Sequence, residues 1–262
     1  MEIELLETNK KNGRVTFLLS GANPMIANLL RRLIMAEVPT MAIEDIEFRK
    51  NSSVMYDEMV AHRLGLLPLK TDLKSYTVSK DCTCEGAGCA KCSVKLTLKS
   101  KASSNGYVYA EEFESADSKI IPVHPKMPIA KLLKGQALEL EATAVLGRGN
   151  DHAKWCPALA YYRGKPDIKI TGKIPDGDKL TKTYPGLFTN KGGKLEIDPK
   201  AITTSLLWDE VSETTQGAVS VTESKEDFIF AIESWGQLSA KEIMQAACDA
   251  FDAKLNALAE KL

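Results

Sequence analysis

The chain has 262 residues, 44% hydrophobic and 26% charged, with 34 Lys and Arg balancing 35 Asp and Glu. That length can bury a core without disulfide staples, and a net charge of -1 gives no broad attraction to nucleic acid or an anionic membrane. The opening MEIELLETNKKNGRV lacks the basic-then-apolar order of a secretory signal, and no apolar run is long enough to cross a bilayer; the expectation is a cytoplasmic protein with reduced thiols.

In chain order, Ile3 and Leu5, then Val15, Phe17 and Leu19, are apolar at period two on either side of Asn12-Gly13, which predicts a β-hairpin. A helix follows. Asn23 suits its N-cap, Pro24 its first position, and Ile26, Leu29, Leu30, Leu33 and Ile34 form an apolar stripe that Pro39 ends. AIEDIEF (42–48) reads as a short strand. Further strands are expected at VKLTLKS (94–100), YVYAEEF (107–113) and ALELEATAVL (137–146), with turn residues between them.

Within this β-rich middle, DCTCEGAGCAKCSV (81–94) places Cys82, Cys84, Cys89 and Cys92 at C-x-C-x4-C-x2-C spacing; the rest of the chain holds only Cys156 and Cys248. Two close pairs joined by a turn can supply four thiolates to a tetrahedral ion, and Gly86 and Gly88 allow a tight reversal. The alternatives are two strained disulfides or four free thiols. A metal is expected, zinc over iron–sulfur. All four positions are sulfur, so the site reads as a structural staple that leaves no open coordination position.

Residues 173–222 are rich in Gly, Pro, Lys and Thr and predict a small, loosely packed lobe or an exposed excursion. FIFAIES (228–234) predicts a strand, and Ser239 with Glu242 spells a capping box. The helix that follows carries Ile243, Ala247, Phe251, Leu255, Leu258 and Leu262, to the last residue. Such a stripe must be covered, by the chain's own core or by a partner's helix.

Catalytic signatures are weak. The histidines are His62, His124 and His152, and a Cys156–His152–Asp151 set is crowded in sequence with no evident oxyanion site. There is no P-loop, and Gly147-Arg148-Gly149 lacks the third glycine and context of a dinucleotide site. The expectation is a chain with no active site of its own.

Three blocks in order, NLLRRLIMAEVPTMAIEDIEF (28–48), AHRLGLLPL (61–69) and LGRGNDHAKWCPALAYY (146–162), resemble the α-like subunits of DNA-directed RNA polymerase in their archaeal, D-type form. That family includes bacterial α and the third-largest subunit of eukaryotic polymerase II. The resemblance covers about residues 1–172 and 222–262.

It implies an α+β fold with a discontinuous dimerisation domain, two helices on a small antiparallel sheet, built from 1–49 and 222–262 with 165–172 returning to it. A β-rich insert domain (50–164) would carry the cysteine loop at 81–94, and 173–221 would be a reduced third lobe. The implied function is a non-catalytic assembly scaffold of a nucleotidyltransferase complex.

The two helices would pack on the small α-like L subunit through Ile26, Leu29, Leu30 and Leu33, and through Ile243, Ala247, Phe251, Leu255 and Leu258, while Asn28, Arg31 and Arg32, which match the family's N-terminal helix motif, would contact the large catalytic subunits or assembly partners. Arg63, Arg148, His152 and Lys154 would contact the second-largest subunit. Other small assembly subunits and the two large catalytic subunits complete the partners, with no direct nucleic-acid or membrane contact. Eukaryotic relatives carry a C-x-C-x3-C-x2-C zinc loop, one residue shorter in the middle than Cys82, Cys84, Cys89 and Cys92 provide. The iron–sulfur ligand run of some archaeal relatives would fall between 173 and 222, where this sequence has no cysteine, so no cluster is expected. The rival readings are a stand-alone zinc-loop nucleic-acid-binding protein and a thiol-dependent enzyme.

Overall fold

Asn12-Gly13 closes the first hairpin. β1 (Glu2–Asn9) and β2 (Arg14–Ser20) are neighbours in one sheet, and Gly13 takes φ +63°, a conformation open to glycine at little cost. The computed structural model describes residues 1–171, 177–191 and 194–262. They group into two units, one of Met1–Asn9, Val15–Leu29 and Tyr161–Ala231, the other of Lys10–Arg14, Leu30–Ala160 and Ile232–Leu262.

α1 (Pro24–Ala36) starts as its sequence dictates, with Asn23 Oδ1 accepting a hydrogen bond from the Ile26 N–H at 2.9 Å. It buries Ala27, Leu33 and Ile34. β3 follows as Pro39–Asn51, longer than the expected 42–48, because it pairs along its length with β8 (Ala137–Arg148), from Pro39 opposite Arg148 to Asn51 opposite Leu138. Between these strands come α2 (Asp57–Gly65), β4 (Ser93–Lys101), β5 (Gly106–Tyr109), β6 (Phe113–Ser115) and β7 (Pro128–Leu132). The strand expected at 107–113 is thus two short strands, divided by a 3-10 turn at Ala110–Glu112.

In the second unit β3-β8-β4-β6 form one sheet and β5-β7 a two-stranded one. Leu96 and Leu98 alternate with exposed residues along β4 and sit in one core with Leu64, Leu69, Ile120 and Leu132. α2 contributes Val60 and Leu64 to that core, although only nine residues long.

In the first unit, β9 (Ala158–Ile170) leads to α3 (Gly177–Thr183), the β10–β11 hairpin (Phe188–Lys191 and Lys194–Ile197), α4 (Pro199–Thr204) and α5 (Trp208–Thr214). The stretch read as loosely packed has its own buried cluster, including Leu180, Tyr184, Leu187, Phe188, Trp208 and Val211. The Trp208 indole N–H donates to the Ala201 carbonyl at 3.0 Å, and Tyr184 lies 3.0 Å from both Glu210 and Thr214. β12 (Val219–Ser234) returns to the sheet ordered β1-β2-β12-β9, where Phe230 stacks on Phe17 with ring centres 5.2 Å apart. α6 (Ala240–Ala259) closes the chain. It stops short of the expected last residue, and Leu262, beyond the helix, is 99% exposed.

Candidate functional site

The cysteine loop is built by backbone turns. The N–H groups of Glu85 and Ala87 donate to the carbonyls of Cys82 and Cys84, and those of Cys92 and Ser93 to the Cys89 carbonyl, all at 3.0 Å. Glu85, Gly86 and Gly88 all have positive φ, so the two glycines make the reversal expected of them. The result folds four thiols inward, with Cys82 and Cys92 buried.

The sulfur atoms all lie within 4.8 Å of one another. The Cys82–Cys89, Cys82–Cys84, Cys84–Cys92 and Cys89–Cys92 separations are 3.6, 3.5, 3.5 and 3.8 Å. A tetrahedron with sulfur about 2.3 Å from its centre has edges of about 3.8 Å. These separations are far longer than a disulfide's roughly 2.05 Å, and all six cysteines are free thiols. The donor set therefore fits one tetrahedral metal ion. The thiols are unequal: the Cys89 backbone N–H, with neighbouring thiols, draws Cys84 down to about 6, whereas burial drives Cys92 up to about 12.

The loop is tied to the third resemblance block. Lys80 pairs with Asp151 at 3.1 Å and Arg148 with Asp81 at 3.2 Å. In that block the two glycines are packing residues. A side chain on Gly147 would meet the Trp155 ring at 2.3 Å, and one on Gly149 would meet the Met35 carbonyl oxygen at 2.0 Å. Cys156 has no nucleophile's environment. Its thiol donates to the Ala158 carbonyl at 3.2 Å, and burial raises its pKa. His152 Nδ1 accepts the Lys154 backbone N–H at 3.0 Å.

The candidate contact residues fall into different environments. Lys154 is largely buried, donating to the Ile43 carbonyl at 2.9 Å, pairing with Glu44 and lying 4.5 Å over the Trp155 ring. Arg63 is exposed and donates to the Pro128 carbonyl at 2.7 Å. His152 and Lys154 share a pocket wall with His62 and Leu66. On α1, Leu33 is buried in the chain's own structure, while Ile26, Leu29 and Leu30 are partly exposed. Of the adjacent arginines, Arg31 is half-buried with its guanidinium 3.5 Å from Met35 sulfur, and Arg32 is exposed.

α6 is capped as its sequence predicts. Ser239 Oγ accepts from the Glu242 N–H at 3.3 Å, and Glu242 accepts the Ser239 N–H at 2.8 Å. Its first half buries Ile243 and Ala247 within the chain, and those two serve the chain's own packing. Phe251 is half-buried. Leu255 and Leu258, on the same stripe, are 47% and 56% exposed.

Sequence reasoning missed the apolar residues around α2. Val54, Tyr56, Met59 and Leu66 are all exposed. The signal was present as apolar residues on both faces of a short helix whose buried stripe needs only Val60 and Leu64.

Residues 43–157 match the family model described as the RNA polymerase Rpb3/RpoA insert domain. The chain is 35% identical over 265 residues to "DNA-directed RNA polymerase subunit Rpo3" of Methanosphaera stadtmanae, covering 97% of this chain and 96% of that protein. Proteins of the same name from Methanosarcina acetivorans and Archaeoglobus fulgidus are 36% and 33% identical, across 97% of this chain and 95% and 94% of theirs.

Proposed function

This chain belongs to the Rpo3 family of DNA-directed RNA polymerase subunits and is an assembly subunit of that enzyme; from that premise we propose that it assembles by pairing α1 and α6 with a small α-like subunit, L. The heterodimer then serves as the platform on which the two large catalytic subunits gather. The chain contributes surface complementarity, and nucleotidyl transfer occurs on those other chains.

The observation that supports this reading most is the second half of α6. It is regular helix to Ala259, and its apolar stripe continues past the buried Ile243 and Ala247 into the open at Leu255 and Leu258. A helix end with an uncovered stripe is stabilised when a second apolar surface covers it. The exposed parts of Ile26, Leu29 and Leu30 on α1 suit the same use. Arg32 suits a contact outside an apolar seam, as do Arg63, Arg148 and His152.

Zinc is the ion proposed for Cys82, Cys84, Cys89 and Cys92. An all-thiolate, tetrahedral set suits it, and such a site holds a loop in place. The balanced charge gives no support to a stand-alone nucleic-acid binder. Co-expression with the small subunit tests the pairing. The expected product is a soluble one-to-one complex; a chain that stays monodisperse and unaltered by the partner defeats the proposal.

A further inference from the structure

Gln237 sits in a turn whose shape is fixed on both sides. Gly236 holds φ +91°, and any side chain there would meet Val123 at 2.5 Å. Ser234 Oγ accepts the Gly236 N–H and donates to the Leu238 carbonyl. The Gln237 carbonyl accepts the Thr71 N–H at 3.0 Å. These contacts fix the course of the backbone on either side of Gln237. The Gln237 side chain is 5% exposed, and its Oε1 is sealed from solvent with no hydrogen-bond partner among the described residues. Buried polar side chains are paired in the great majority of cases, because an unpaired one forfeits its hydration.

Gln237 lines a groove of about 710 Å³ between the 70–74 segment and the first turns of α6. Lys70, Lys74 and Lys119 stand on its walls with Asp72, Glu242 and Asp249. All three carboxylates are already engaged: Asp72 accepts from Lys119 at 2.7 Å, Glu242 caps Ser239, and Asp249 accepts from the Gln245 side-chain amide at 2.9 Å. Three positive and three negative side chains give no net attraction to a polyanion, which excludes a nucleic acid or an anionic membrane as the intended occupant. A side-chain amide carries one acceptor and two donors, the complement of a peptide group.

We propose that this groove receives an extended polypeptide segment of another polymerase subunit, and that Gln237 swings its amide into the groove to pair with that segment's backbone. The inference rests on the chain being an assembly subunit. It concerns a surface other than the exposed α6 stripe, since no residue of that stripe lines this groove. In the free chain the unpaired amide is a cost; in the assembled enzyme it is a specific contact.

The test uses the full chain reconstituted with the recombinant small α-like subunit and then with all polymerase subunits. Hydrogen exchange is followed at residues 70–75 and 236–246. Exchange there is expected to be alike in the chain and the heterodimer and to slow only in the complete enzyme. Gln237→Met keeps the volume and removes the amide. It is expected to leave the melting temperature equal or higher and pairing with the small subunit intact. Incorporation in competition with wild type should fall about tenfold, ~1.4 kcal/mol. Gln245→Trp, at the exposed lip, blocks the groove without touching the core and should lose incorporation likewise. Unslowed exchange in the complete enzyme, or equal incorporation of both variants, overturns the proposal. Failure of the wild-type chain to pair with the small subunit would instead strike the pairing reading.

Discussion

Replacing Leu255 by Asp separates the chain's own stability from its pairing. Leu255 is 47% exposed, so about half of its side chain remains to be covered by a partner. Full burial of a leucine is worth about 1.5–3 kcal/mol, so the uncovered half contributes about 1 kcal/mol to the seam. An aspartate there would also be stranded among apolar groups, at a cost of several kcal/mol, about 3 by a conservative figure. The sum, about 4 kcal/mol, weakens association roughly a thousandfold. In the lone chain the half of Leu255 already covered is lost, about 1 kcal/mol, and helix propensity and the dipole add about 1 more, so the lone variant should lose only about 2 kcal/mol. Titration calorimetry against the small subunit, with a thermal melt of the lone variant, reads the two effects apart. Pairing within threefold of wild type would refute the reasoning; so would a melting temperature that collapses in the lone chain, because Leu255 would then belong to its core.

With zinc at the four-thiol site as proposed, Cys89→Ser should lose the one equivalent of zinc that elemental analysis finds in the wild type, while the proposed pairing through α6 persists; equal metal content in the two would contradict the four-thiol site. Lys119, first, then Ser75 and the Lys74 N–H hold the Asp72 carboxyl well below the usual carboxylate range. Its folded pKa lies below the unfolded value, so the stabilisation is complete above about pH 4 and is lost as pH falls toward the folded pKa. The melting temperature of wild type should therefore drop more steeply below that point than that of Asp72→Asn, and parallel curves would refute the assignment. Gly149→Ala places a methyl 2.0 Å from the Met35 carbonyl oxygen. It should cost about 1–3 kcal/mol, as overpacking does, read as a lower urea midpoint; an unchanged midpoint would show that the backbone yields freely.

The sequence made the punctuation plain. Asn12-Gly13, Asn23-Pro24 and the Ser239–Glu242 box each specify a local hydrogen-bond pattern, and each is where the structure puts a turn or cap. The four-thiol loop was equally readable, since its spacing is short enough for local turns to close it. Extents were harder. β3 and β12 run several residues past their apolar stretches because pairing with a neighbouring strand, a non-local effect, sets their length. α2 escaped notice because only Val60 and Leu64 mark its buried face. The 177–221 region read as loose because its apolar residues are spread among Gly, Pro and Lys, and only the fold gathers Leu180, Phe188 and Trp208 into one cluster. Periodicity also could not tell that Ile243 and Ala247 are covered by the chain itself while Leu255 and Leu258 are not, since all four lie on one stripe.

Light scattering after size exclusion tests the pairing most directly: the purified chain is run alone, with the small α-like subunit, and with that subunit after Leu255→Asp. A single one-to-one species for wild type, absent for the variant, is the predicted result. Wild-type chain eluting at its own mass, with the small subunit running separately, would contradict it.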